Sequence, residues 1–205
     1  HGFPGTLSVK VIYFLTEANE WGYEIYATSD KDTLWNPCHH VYYNLSGDAS
    51  QAIDQHKLWL NASQYEPLEQ GLPSLTKADV TGTAFDFTKE KEIGDALHSK
   101  DKQVSDYAGL DHPFFLDGGR DVQASLRSPD GKIKVDMVTN QPSVVIFTAN
   151  FGADTPLVGG KRLADHGGIT FETQVAPGAE QHPDFGSIVL RAGQAYYNKT
   201  SFKLT

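Results

Sequence analysis

Apolar and polar residues alternate along most of this chain with a period of two. Leu7, Val9, Val11 and Tyr13 fall on one side of a segment rich in β-branched and aromatic residues, which predicts a strand carrying those four on one face. A turn around Ala18-Asn19-Glu20 leads to a second strand at 24–28. Further strands are expected at 39–45, 56–61, 113–116, 121–128, 132–139 and 144–149. The separators have turn chemistry: Ser46-Gly47-Asp48, Asp117-Gly118-Gly119 and Pro129-Asp130-Gly131, the last placing Asp-Gly at the tip of a hairpin over 125–135. Helical periodicity is confined to 91–97, and the polar, weakly patterned stretch 99–109 is expected to be a loop. No internal repeat or low-complexity tract interrupts the pattern. Many strands with Gly and Pro punctuation predict an all-β sandwich or barrel.

A chain of 205 residues can bury one sizeable core, so one domain over 1–205 is expected. The net charge of −9, with no Lys or Arg cluster, argues against nucleic acid and against anionic membrane surfaces, which both attract basic faces. No apolar run reaches the ~18 residues of a membrane-spanning helix. Cys38 is the single cysteine, which rules out an internal disulfide and a thiolate-only metal site. With no leader pattern at the first residues, a reducing, cytoplasmic setting is the expectation.

Three segments offer candidate chemistry. In His39-His40-Val41-Tyr42-Tyr43-Asn44-Leu45, adjacent histidines in a strand point to opposite faces, so at most one of them faces a given cleft. In Thr170-Phe171-Glu172-Thr173-Gln174, alternation puts Thr170, Glu172 and Gln174 on one face, suited either to a polar cleft or to a solvated sheet surface. In Gly109-Leu110-Asp111-His112-Pro113, Asp111 suits either sugar hydroxyls or a turn. A metal site from Asp111, His112, His39 and His40 lacks ligand spacing typical of zinc, and no metal is expected. Trp21, Trp35 and Trp59 read as packing residues.

The segments also form an ordered set: Gly2-Phe3-Pro4-Gly5, His40-Val41-Tyr42-Tyr43-Asn44-Leu45-Ser46-Gly47, Gly109-Leu110-Asp111-His112, Thr148-Ala149-Asn150-Phe151, Phe171-Glu172-Thr173-Gln174 and His182-Pro183-Asp184-Phe185, closing with Arg191-Ala192-Gly193-Gln194-Ala195-Tyr196. Each is weak alone, but in this order they resemble the aldose 1-epimerase (galactose mutarotase) family. The resemblance implies a large antiparallel β-sandwich with a sugar cleft on one sheet face, and interconversion of the α and β anomers of a free hexose such as glucose or galactose. It further implies Glu172 as catalytic carboxylate, His40 as catalytic histidine, Asp111 as a substrate-binding residue, a monosaccharide as partner, and no cofactor.

Two positions depart from the pattern that the resemblance implies: His39 stands where Asn is expected, and Val145 where Gln is expected. In the family, the Gly-Phe-Pro-Gly segment lies well inside the sequence. The resemblance therefore implies that this chain is roughly the C-terminal two-thirds of an enzyme, with the N-terminal strands, and an Arg and a His that contact sugar, on a missing segment. Two other readings remain at this stage. One is a non-catalytic carbohydrate-binding sandwich. The other is a hexose-6-phosphate 1-epimerase, which would need Arg120, Arg127, Lys161 and Arg162 to gather at one phosphate pocket.

Overall fold

The computed structural model describes residues 2–205. Two antiparallel sheets dominate. The larger has seven strands in the order Leu7–Leu15, Glu20–Ser29, Tyr196–Leu204, Lys134–Thr139, Ala124–Arg127, Lys57–Leu60 and Lys91–Glu92. The smaller has five, in the order Glu172–Gln174, Ser143–Phe147, Asp111–Phe115, Gln64–Tyr65 and Ala78–Asp79. One buried cluster draws on both: Tyr23, Ile25, Leu58, Leu126 and Met137 from the larger sheet meet Tyr65, Phe114, Val144 and Ile146 from the smaller. This is sheet-on-sheet packing, a large antiparallel β-sandwich.

Alternation explains the faces. Along Ser143–Phe147, Val144 and Ile146 enter the shared core, which turns Ser143, Val145 and Phe147 to the opposite surface of the smaller sheet. Part of that outer surface is covered by a second cluster of Phe115, Ala176, Ala179 and Phe185. The remainder stays open and carries the candidate site.

Two expectations are corrected by the structure. The strand expected over 39–45 shortens to Tyr42–Tyr43, because the Asn44 side chain donates to the carbonyls of Asp48, Gln51 and Gly167 and turns the chain out of the ladder. The loop expected over 99–109 contains a short helix, Lys102–Ser105. Asp101 caps it by accepting from the Gln103 N–H at 3.0 Å, while the Gln103 side chain is tied to both backbone polar groups of Leu68. The strand expected from Leu7 is observed at Leu7–Leu15. On the face that pairs beside Tyr23 and Ile25, Val9, Val11, Tyr13 and Leu15 are 46%, 43%, 61% and 81% exposed. Only Tyr13 has a ring against it there, that of His39, so most of this face is open among the described residues.

Glu66 is a buried carboxyl within the fold, 0% exposed. One oxygen accepts from the Leu75 N–H at 2.8 Å and the other has no partner, and burial pushes its pKa up from 4.5 to about 7. A raised carboxyl pKa means that the folded state holds its proton more tightly than the unfolded one. Stability from this group is therefore fully present below 4.5, and is lost as pH rises toward and past 7. Glu66→Gln keeps the acceptor and removes the charge. It should stabilise the protein by about 3 kcal/mol at pH 8, with the gain vanishing by pH 4. Thermal unfolding of both proteins across this range checks it; equal melting temperatures at pH 8 would contradict a costly buried charge.

Candidate active site

The open face of the smaller sheet is assembled by register. Val145 pairs with Glu172 on one side and Pro113 on the other, and Phe147 pairs with Asp111. Directly opposed residues share a face. Glu172, Val145, Pro113, Phe147 and Asp111 thus form one continuous surface from three strands that are distant in sequence.

The segment carrying His40 is laid along this surface without joining its ladder. The Asn36 side chain donates to the Val175 carbonyl at 2.8 Å and accepts from the Val175 N–H at 3.1 Å, imitating a strand partner. Tyr42–Tyr43 pairs with Ile169–Thr170. Pinned at both ends beside residues 169–175, the intervening backbone brings His40 over Glu172. His40 Nε2 lies 2.8 Å from Glu172 Oε1. Thr170 Oγ1 donates to the same oxygen at 3.0 Å, and Cys38 Sγ donates to Oε2 at 3.8 Å.

Glu172 is 8% exposed while His40 is about half-exposed, so the carboxylate sits at the floor and the imidazole at the rim. Burial raises the Glu172 pKa by removing water from the charged form; His40 and the Thr170 hydroxyl oppose the rise, and the Asp111 charge adds to it. Asp111 is also raised by burial, with His40 again opposing. Both carboxyls therefore sense the same imidazole. Burial and the Glu172 charge push the Cys38 thiol up to about 11, so it stays a neutral donor rather than a nucleophile.

Aromatic rings wall the site. Tyr42 and Phe147 lie 5.1 and 6.0 Å from the His40 ring, and Phe151 lies 5.2 Å from Phe147. Asp111 is held by its backbone surroundings. Thr148 Oγ1 accepts from the Leu110 N–H at 2.9 Å and Asn150 Nδ2 donates to the Leu110 carbonyl at 3.0 Å. Gly109, at φ 138°, permits the contact, because a Cβ there would lie 2.2 Å from Asn150 Oδ1. The Thr-Ala-Asn-Phe run thus has a local physical task.

The structure brings His40 and Glu172 into contact and sets Asp111 on the same face. It separates the other candidates. His39 turns away to Tyr13 and Tyr23, and His112 is fully buried on the inner face, hydrogen-bonded with Gln103, its pKa pushed down to about 4. Among the described residues, no group of three or more His, Cys, Asp and Glu side chains is arranged to hold a metal ion. Arg120 and Arg127 lie by Trp59 on the larger sheet, whereas Lys161 and Arg162 are paired with Asp48 and Asp154.

Thr170, Cys38, Tyr42, Phe147 and Phe151 were not singled out by the sequence as site residues. Alternation with His40 is the signal for Tyr42, and alternation with Glu172 the signal for Thr170. Only register reveals Phe147. A larger hollow, about 800 Å³, lies elsewhere, between residues 45–55 and 128–133; Asp54 in its lining is paired with the exposed His98. A hollow of about 520 Å³ adjoins the site across Tyr42 and Phe151.

A buried carboxylate touching an exposed imidazole can move two protons at neighbouring atoms of one bound molecule. A family model described as aldose 1-epimerase matches residues 1–203. The aldose 1-epimerase of Haemophilus influenzae is 36% identical over 98% of this chain and 60% of its own length; human galactose mutarotase is 35% identical over 100% and 59%. The crystal structure of a galactose 1-epimerase from Lactobacillus acidophilus superposes with a TM-score of 0.87 at 37% identity, covering 99% of this chain and 58% of that one. This chain therefore spans about 60% of the length of the curated relatives it matches.

Proposed function

Because the chain belongs to the aldose 1-epimerase family, we propose that it is the catalytic part of an enzyme interconverting the α and β anomers of a free hexose such as glucose or galactose. The observation that carries this reading is the 2.8 Å contact between His40 and Glu172. Anomer exchange works on two oxygens attached to one carbon, and such geminal atoms need an acid and a base side by side.

In the proposed reaction Glu172 removes the proton from the C1 hydroxyl. The C1–O1 bond becomes a carbonyl as the bond from C1 to the ring oxygen breaks, and His40 places its proton on that ring oxygen. Rotation about C1–C2 offers the other carbonyl face, and the reversed transfers close the opposite anomer. Electrons and protons balance within sugar and protein. Asp111 accepts from sugar hydroxyls, while Tyr42, Phe147 and Phe151 give the ring's apolar faces something to pack on. The dispersed Arg120, Arg127, Lys161 and Arg162 favour a free sugar over a phosphorylated one.

The exposed face of Leu7–Leu15 supports a second element of the reading: a further segment of the same enzyme seats on Val9, Val11, Tyr13 and Leu15 and completes a single sandwich domain with 1–205. An uncovered edge of this kind invites pairing. The one free thiol fits a reducing cytoplasm, and no helix is long and apolar enough to cross a membrane among the described residues.

Polarimetry on freshly dissolved α-glucose or α-galactose, with the complete polypeptide that carries this sequence, tests the function. Accelerated mutarotation is expected; sugar binding without acceleration would select a non-catalytic carbohydrate-binding sandwich. Because burial raises the Glu172 pKa, the base is lost as pH falls through a value above the ordinary 4.5. The acid limb of kcat/KM should lie correspondingly high. The 205-residue chain alone should be weakly active or inactive; rates equal to those of a longer form would overturn the need for a covering segment.

A further inference from the structure

The residues that hold the acid–base pair from behind are not those that touch it. His39 precedes His40 and points the other way; its ring stacks on Tyr23, with centroids 4.8 Å apart and planes 23° from parallel. Thr173 follows Glu172 and points the other way; its hydroxyl is 2.8 Å from the Tyr23 hydroxyl. Tyr23 itself comes from the opposite sheet, at the centre of Glu20–Ser29, and is 0% exposed. One side chain therefore meets the residue behind the imidazole with its ring face and the residue behind the carboxylate with its oxygen.

Both contacts are anchored further. His39 Nε2 is 3.1 Å from the Tyr13 hydroxyl. Thr173 Oγ1 is 2.7 Å from Thr200 Oγ1, which is 2.8 Å from Thr139 Oγ1. The hydroxyls of Tyr23, Thr173, Thr200 and Thr139 form an unbroken chain in which each oxygen can donate and accept. Ordinary packing between the sheets would need only apolar groups here. A tyrosine whose two ends grip the neighbours of two reacting groups is a more specific arrangement.

We infer that Tyr23 is a positioning residue that sets the separation of His40 and Glu172, its ring fixing the His39–His40 backbone and its hydroxyl fixing the Thr173–Glu172 backbone. The inference rests on the reading of His40 and Glu172 as acid and base. A shift of about 1 Å between reacting groups can cost up to ~10²-fold in rate, so a brace on both backbones has a direct bearing on turnover. The titratable groups facing Glu172 are His40 and Asp111, whose charges act on it, Cys38, which donates a hydrogen bond to it, and Tyr42, whose hydroxyl its charge holds neutral. Of these His40 lowers the Glu172 pKa most, so loosening the pair moves the carboxyl titration upward.

The test uses Tyr23→Phe, Thr173→Val and the double variant, in the complete polypeptide, with Glu172→Gln in parallel. Each single variant should lower kcat, normalised to the folded fraction measured by circular dichroism on the same preparation, about tenfold while KM stays within about twofold. The double should be no worse than Thr173→Val alone, since both substitutions remove the Tyr23–Thr173 bond and Thr173→Val already removes the bond to Thr200. The Glu172 carboxyl, followed by 13C NMR without substrate, should titrate at higher pH in the variants. If Tyr23→Phe fails to fold, Thr173→Val carries the test, because it leaves the ring stack intact. Additive losses in the double, or unchanged kcat and an unchanged Glu172 titration, overturn the inference. Full activity of Glu172→Gln would instead overturn the acid–base reading, and the NMR titration would still report on the brace.

Discussion

Glu172→Gln should reduce kcat by about 10²- to 10⁴-fold, the range typical for loss of a positioned acid or base, with a much smaller change in KM. Gln keeps the shape of the side chain and an oxygen able to accept from Thr170, now 3.0 Å from Glu172 Oε1. It cannot take a proton from a hydroxyl at neutral pH. Stability should not fall with activity, because the variant removes a buried charge that the fold holds at a cost, as the upward pKa of Glu172 records. Polarimetry and thermal unfolding on the same preparation separate the two effects. Turnover near that of the parent protein would eliminate Glu172 as the base.

His40→Asn should lower kcat by a comparable factor, about 10²-fold or more, and should also change the pH profile. The residual activity still needs ionised Glu172, and His40 is the strongest influence holding that carboxyl's pKa down. Without the imidazole, burial and Asp111 act unopposed by it, and the folded carboxylate protonates at higher pH. The acid limb of the residual rate should therefore move upward. Loss of rate with an unmoved limb would mean that the 2.8 Å contact does not couple the two groups in solution.

Much of this molecule was legible along the chain. Alternation at 20–29 and 134–139, and short runs rich in apolar and aromatic residues at 111–115, 124–127 and 143–147, announced strands within a few residues, because a half-buried strand has a period of two and a fully buried one is apolar throughout. The opposed directions of Glu172 and Thr173 followed from the same rule. Other features were illegible for equally physical reasons. The clasp of Asn36 on Val175 spans 139 positions and leaves no local pattern. The helix at Lys102–Ser105 is too short to show a 3.6-residue period and depends on one aspartate cap and one glutamine anchor. His39 and His40 diverge as a strand would make them do, although they stand outside any strand, because stacking on Tyr23 and contact with Glu172 pull the rings apart.

By itself, the sequence determined that this chain is built from strands joined by tight turns, and that Glu172 and Thr173 leave their strand in opposite directions. These are properties of neighbouring residues and of composition, and they need no knowledge of what folds against what. The tertiary structure alone decided that His40 reaches Glu172, that Val145 and Phe147 floor the space between Glu172 and Asp111, and that one face of the first strand is left bare. Each of those depends on which strands pair and in which register, and register is fixed by packing between segments far apart in the chain, where no periodicity along the sequence can record it.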